Sequence, residues 1–101
     1  MNRSADRRAE ADWIAALGNL TRLAIIRALA TGVKTVTELA RECEDEIVNV
    51  SHHLGVLRGA RLVACERDGR FMRYRLLGGE ATATELELTH GSGARVIIPL
   101  A

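Results

Sequence analysis

The sequence predicts an α+β fold, mainly helical: a winged helix-turn-helix with an added C-terminal β-hairpin. Three observations carry this. In the middle of the chain Val50, Leu54 and Leu57 recur at the i, i+4, i+7 spacing that lines one face of a helix. Just upstream, Thr35-Val36-Thr37-Glu38 has the threonine and glutamate of a capping box, the start signal of a short helix. Downstream, two strand-forming runs, Leu62 to Arg67 and Phe71 to Leu76, flank Asp68-Gly69, a strong hairpin signal. Helix, turn, helix, hairpin is the order of a winged helix.

The elements follow in order. A first helix is expected over about residues 5–17, with Ala9, Trp13, Ala16 and Leu17 as its apolar stripe. Trp13, the only tryptophan, suits either a core or a subunit seam. Gly18 ends this helix and Asn19 caps the next. The second helix spans about 20–31, turning Leu23, Ile26, Leu29 and Ala30 inward and Arg22 and Arg27 outward, and Gly32 stops it. The third, opened by the capping box, runs to about Cys43 and buries Val36, Leu39, Ala40 and Cys43. Glu44-Asp45 is the turn, with Asp45 as cap of the central helix, which ends near Gly59-Ala60. In the second hairpin strand Phe71, Arg73 and Arg75 alternate with Met72, Tyr74 and Leu76, giving the hairpin a basic edge. Gly78-Gly79 is a hinge. Thr84 to Thr89 alternates strictly as a half-buried strand, His90 to Gly93 is a turn, and Arg95 to Leu100 is a second strand closed by Pro99. The expected division is therefore 1–77 for the winged helix and 78–101 for the C-terminal hairpin packed on it.

Composition sets the class. A chain of 101 residues has room for one modest core, and 48% hydrophobic with 27% charged residues is globular rather than disordered. No apolar run approaches the roughly 20 residues of a membrane span. Met1-Asn2-Arg3-Ser4 leads into a charged segment without an apolar signal core, so the cytoplasm is the expected compartment. Two cysteines, Cys43 and Cys65, are too few for a disulfide framework or a four-ligand zinc site. Net charge is only +1, but residues 47–76 hold six arginines against two acids, net +4, while residues 33–46 are net −3. A basic half is the footprint of nucleic-acid binding, and the acidic block beside it weakens that footprint.

On the central helix Asn49, Ser51 and His52 fall away from the apolar face, short polar groups suited to base edges and phosphates. His53 is expected to pack against the second helix. Ser51 and His52 are neighbours whose side chains diverge by about 100° on a helix, so they form no nucleophile and base pair. No glycine-rich phosphate loop is present. The sequence describes no enzyme.

Leu17-Gly18-Asn19-Leu20-Thr21-Arg22-Leu23, Thr37-Glu38-Leu39-Ala40, Val50-Ser51-His52-His53-Leu54-Gly55-Val56-Leu57-Arg58 and Gly59-Ala60-Arg61-Leu62-Val63 together resemble the ArsR-type winged-helix repressors. Asp68-Gly69-Arg70-Phe71-Met72-Arg73-Tyr74-Arg75-Leu76 resembles that family's wing, so the likeness covers about residues 13–77. It implies a homodimeric transcriptional repressor whose central helix enters the major groove of double-stranded operator DNA and which lets go when an inducer binds. Ser51 and His52 match the family's DNA-contacting pair, and Asn49 a neighbouring contact position. For His52 a bond within the protein is the other reading. Arg67, Arg70 and Arg73 are the wing residues for phosphate or the minor groove.

The chain departs from the family at several points. Thr35-Val36-Thr37 stands where the thiolate metal sensors carry Cys-x-Cys, and the Thr84–Leu100 hairpin replaces the C-terminal helix that holds zinc in other members. Glu85, Glu87 and His90 read as solvated surface. No metal and no cofactor are expected. The turn is Glu44-Asp45-Glu46 where the family usually has glycine, and Ile47-Val48 replaces short polar residues. Three acids beside phosphates cost affinity. Ile47 and Val48 cannot hydrogen-bond to bases, though either has the chemistry to touch a thymine methyl, and Ile47 equally suits the core. These departures define the alternative, a winged-helix protein-interaction module that has lost DNA binding. Cys43 and Cys65 are where a thiol switch would operate, but Cys43 lies on the apolar stripe with Val36 and Leu39, and a buried thiol tends to be inert. Val96-Ile97-Ile98 needs cover on both strand faces. The expected cover is the first helix, the partner strand and a second subunit, which gives the hairpin a part in assembly or inducer response.

Overall fold

The computed structural model describes residues 3–100, so Met1, Asn2 and Ala101 lie outside the described residues. The order is α1 (Arg3–Ala16), α2 (Leu20–Leu29), β1 (Lys34–Thr35), α3 (Val36–Glu42), α4 (Ile47–Gly59), β2 (Val63–Asp68), β3 (Phe71–Leu76), β4 (Gly79–Ala81), β5 (Glu85–Thr89) and β6 (Arg95–Pro99). The strands form two antiparallel three-stranded sheets, ordered β1-β3-β2 and β4-β5-β6.

On α1 the buried stripe starts at Trp13, 1% exposed, and continues through Ala16 and Leu17. Ala9, expected in that stripe, is exposed together with most of the first two turns. Trp13 is thus a core residue of its own chain, its indole 5.4 Å from the His90 ring. Asn19 caps α2 as expected, its side-chain oxygen accepting from the Arg22 N–H at 3.0 Å. Ile25, Ile26 and Leu29 form the buried face, and Leu23 is only half-buried. Arg22, expected outward, turns back along the chain, and its Nε donates to the Ala16 carbonyl at 2.6 Å. The cause is the tight α1–α2 turn, which leaves an end-of-helix carbonyl in need of a donor.

The capping box of α3 is complete: the Glu38 N–H donates to Thr35 Oγ1 at 3.2 Å, and the Thr35 N–H donates to Glu38 Oε1 at 2.9 Å. Helices α3 and α4 both end in a Schellman motif whose left-handed residue is not glycine. After α3, Glu44 (φ 52°) lets Asp45 N–H reach the Ala40 carbonyl at 3.0 Å. After α4, Arg61 (φ 61°) lets Leu62 N–H reach the Leu57 carbonyl at 2.9 Å. Val50, Leu54 and Leu57 are the buried face of α4. Ile47 is 49% exposed and belongs to the surface. The N-cap is Glu46, with no side-chain bond, and not Asp45.

Two strands escape the sequence pattern. The two-residue β1 pairs with β3 (Lys34↔Tyr74, Thr35↔Arg73), too short to carry a period of its own. The second is β4, so the C-terminal unit is a three-stranded meander and not a hairpin. Gly78 is needed where it stands: its φ is 66°, and a Cβ there would lie 2.5 Å from the Thr89 carbonyl oxygen. In the wing Asp68 pairs with Phe71, so the two loop residues are Gly69 and Arg70, with Gly69 at φ 63°. Glycine first with positive φ fits a type II′ hairpin turn.

A single core cluster joins Trp13, Ile25, Ile26, Leu39, Val50, Leu54, Leu57, Leu62 and Val63 to Leu86, Leu88 and Ile98 of the C-terminal sheet. Within the chain one face of β6 stays open, because Ile97, paired across the strands with Glu87, is 58% exposed. At its far end the Arg27 Nε donates to the Pro99 carbonyl at 3.0 Å, tying α2 to β6. Among the described residues no helix is long and apolar enough to cross a membrane.

Candidate nucleic-acid interface

Helix α4 is held from below by its buried Val50, Leu54 and Leu57, so its outer side is fixed in orientation. Asn49, Ser51 and His52 are all exposed there. Val48, Ser51, His52 and Gly55 follow the i, i+3, i+4, i+7 rule and share one face. Val48 is 80% exposed. A Cβ added at Gly55 would meet nothing within 4 Å, so the fold itself does not require glycine there.

Two hydrogen-bond systems set this face. Asp45, one residue before the helix cap, accepts from the Glu46 N–H at 2.7 Å and from the Asn49 side-chain amide. Those two bonds hold the Asp45 carboxyl below the usual carboxylate range. Asn49 is thereby anchored through one amide hydrogen, leaving the other and its carbonyl oxygen to face outward. Below, half-buried His53 takes the Arg22 guanidinium at Nδ1, 3.2 Å away, and so does face α2 as expected. Burial first, then the Arg22 charge and His52, push the His53 pKa down. The His52 ring stands edge-on to His53, centroids 5.3 Å apart, so His52 has a contact inside the protein while remaining exposed.

The wing is less uniformly basic than its sequence. Arg73 Nε donates to Asp68 Oδ2 at 2.7 Å, and Arg75 Nε to Glu66 Oε1 at 3.0 Å, each an ion pair across β2 and β3. Of the three wing arginines expected to contact DNA, Arg67 and Arg70 are exposed, while Arg73 is half-buried and already paired. Arg70 lies over the Phe71 ring, 5.5 Å from its centroid. Phe71 and Met72 are exposed on the wing, a feature the sequence pattern did not single out.

Cys43 and Cys65 are free thiols, both half-buried. Burial, with Glu42 and Asp45 nearby, pushes the Cys43 thiol up and away from the thiolate form. Cys65 faces Tyr74 across the ladder, and burial together with that thiol raises the Tyr74 pKa. Among the described residues no group of three or more His, Cys, Asp or Glu is placed to hold a metal ion. Glu87 pairs with Arg95 at 3.4 Å. His90 is not plain solvated turn: its Nδ1 accepts from the Ser92 N–H at 3.1 Å while its ring lies against Trp13. Arg22 is the positioning residue that sequence reasoning missed, since its partner His53 is 31 residues away and no local signal links them.

A helix-turn-helix domain family matches residues 17–66. The chain is 42% identical over 60 residues to the HTH-type transcriptional regulator KmtR of Mycobacterium tuberculosis, a match covering 59% of this chain and 46% of that protein. It thus spans about half the length of that curated relative. Among solved structures, it resembles the homodimeric winged helix-turn-helix DNA-binding domain of a possible ArsR-family transcriptional regulator from Mycobacterium bovis. That match has 30% identity, covers 73% of this chain and 68% of the other, and gives a TM-score of 0.71. An ArsR-like transcriptional regulator from Rhodococcus sp. RHA1 matches at 30% identity over 71% of this chain and 68% of its own, TM-score 0.67. The transcriptional repressor BigR from Xylella fastidiosa matches at 30% identity over 76% and 82%, TM-score 0.63. The helix-turn-helix, the wing behind it and these relatives place the chain in one group: it belongs to the ArsR family of winged helix-turn-helix regulators.

Proposed function

We propose that this protein is a sequence-specific DNA-binding transcriptional regulator, a homodimeric repressor that releases its operator when an inducer binds. The observation that carries the reading is the outer face of α4, where Asn49, Ser51 and His52 stand exposed on a helix anchored by three buried residues. In this reading α4 enters the major groove, Ser51 and His52 meet base edges or phosphates, and Asn49 arrives already oriented by Asp45. Arg67 and Arg70 reach phosphate or the minor groove from the wing, and Arg73 contributes chiefly by bracing the hairpin. Residues 1–77 act as the DNA-binding unit, and 78–101 serve assembly or inducer response.

Asp45 bears on the competing interaction-module reading. Its carboxylate accepts from two neutral donors that hold it ionised, so the acidic turn keeps its repulsion toward a phosphate backbone. What Asp45 adds to the DNA-binding reading is an Asn49 already oriented. Dimerisation draws support from apolar surface left open on one copy, above all Leu20 at 88% exposure. The repressor acts in the cytoplasm, without catalysis, cofactor or metal.

The test is Ser51→Ala combined with His52→Ala, measured by fluorescence anisotropy on duplex DNA from the protein's own promoter region. Both residues are exposed, so the fold should survive, and specific binding should weaken by roughly 1–3 kcal/mol for each base that these side chains recognise. Unchanged affinity would favour the interaction module.

A further inference from the structure

We infer that Val48, with Ile47 beside it, reads a thymine 5-methyl group in the major groove, making it a specificity determinant of the operator. This rests on the DNA-binding reading above and goes beyond it by naming the base. The first turn of α4 exposes two β-branched apolar side chains, Val48 strongly and Ile47 by half, while Val50, Leu54 and Leu57 of the same helix supply its entire buried face. The pair is therefore surplus to the core. It also costs helix propensity, since valine and isoleucine lose rotamer freedom in a helix.

A partner explains what the fold does not. Val48 shares its face with Ser51 and His52, three and four residues on, so whatever those residues approach, Val48 approaches too. Reading helices contact bases with their N-terminal residues, which is where Val48 stands. The thymine methyl is the one apolar group that the base pairs display in the major groove. A side chain without donor or acceptor leaves the polar edge of any other base unpaired, which turns a weak contact into a discriminating one. A β-branched side chain is also stiff at χ1, so docking it costs little entropy. The partner's charge fits as well: residues 47–76 are net +4, which suits phosphate better than an apolar protein surface.

The experiment selects binding sequences from a randomised duplex pool with the full chain, then replaces each thymine of an enriched duplex by uracil in turn. Uracil keeps base pairing and removes only the methyl. Wild-type affinity should fall about three- to five-fold at one thymine in each half-site, the worth of a buried methyl group. Val48→Ala should bind more weakly overall and show no difference between thymine and uracil at that position. Indifference of the wild type to every uracil replacement would overturn the inference while leaving sequence-specific DNA binding intact. So would a Val48→Ala protein that keeps the same uracil sensitivity. A pool with no enriched sequence would instead overturn the DNA-binding reading, and the inference with it. The uracil series on the unaltered protein does not depend on whether the variant folds.

Discussion

Arg22 joins three helices with one guanidinium: it sits in α2, donates to the last carbonyl of α1, and bonds His53 of α4. To accept that bond, His53 must be neutral, and burial plus the neighbouring guanidinium lower its pKa accordingly. An unfolded imidazole takes a proton near about 6.5, the folded one only at lower pH. The unfolded state therefore binds more protons in that window, and stability rises with pH across it. The contribution is full above the unfolded value and is lost as pH falls through the folded one. Because His53 is partly solvated, its magnitude is screened. We expect the thermal midpoint of the wild type to fall between about pH 7 and pH 5 by more than that of His53→Gln, which keeps an acceptor for Arg22 and removes the titration. Circular dichroism melts across that range would show it, and parallel declines in the two proteins would refute it.

The wing shows how an element redistributes charge. Register places Glu66 opposite Arg73 and Asp68 opposite Phe71, and the acids then bond Arg75 and Arg73 diagonally. Such exposed cross-strand pairs contribute roughly 0.2–1 kcal/mol each, enough to hold a two-residue loop in one orientation. Arg67 and Arg70 are exposed, and in the proposed reading they are the ones that meet phosphates. Replacing either by alanine should reduce the slope of log affinity against log salt concentration by about 1. Arg73→Ala should change that slope less and lower wing stability more, because its charge is already answered by Asp68. Equal slope losses at Arg67 and Arg73 in a salt titration would show that the Asp68 pair opens on DNA.

At the scale of the whole molecule the C-terminal sheet is part of the winged-helix core. Leu86, Leu88 and Ile98 are buried in the same cluster as Trp13 and Leu54, His90 packs on Trp13, and Pro99 accepts from Arg27. Burying three aliphatic side chains is worth on the order of 5–9 kcal/mol, comparable with the total stability of a small domain. Removing residues 80–101 should therefore expose Trp13, red-shift its fluorescence and turn the protein toward monomer or aggregate. A truncated chain that sediments as a well-folded dimer with unchanged tryptophan fluorescence would contradict this.

What the sequence determined by itself lies within a few residues along the chain. The α4 face, the Asn19 cap, the Thr35–Glu38 box and the wing turn are all set by neighbours one to seven positions apart, and these were legible as periodicity and caps. Because the phase of α4 fixes which side is buried, the outward placement of Asn49, Ser51 and His52 was legible too. Tertiary structure decided what depends on distant partners. Lys34-Thr35 becomes a strand only because β3 lies beside it, and Gly79–Ala81 only because β5 does. Arg22 has one partner close by in Ala16, but its bond to His53 spans 31 residues. That of Arg27 to Pro99 spans 72, so neither of these long links is written locally. Which wing arginines are ion-paired was settled by strand register, since a charge two residues along a ladder meets a different acid.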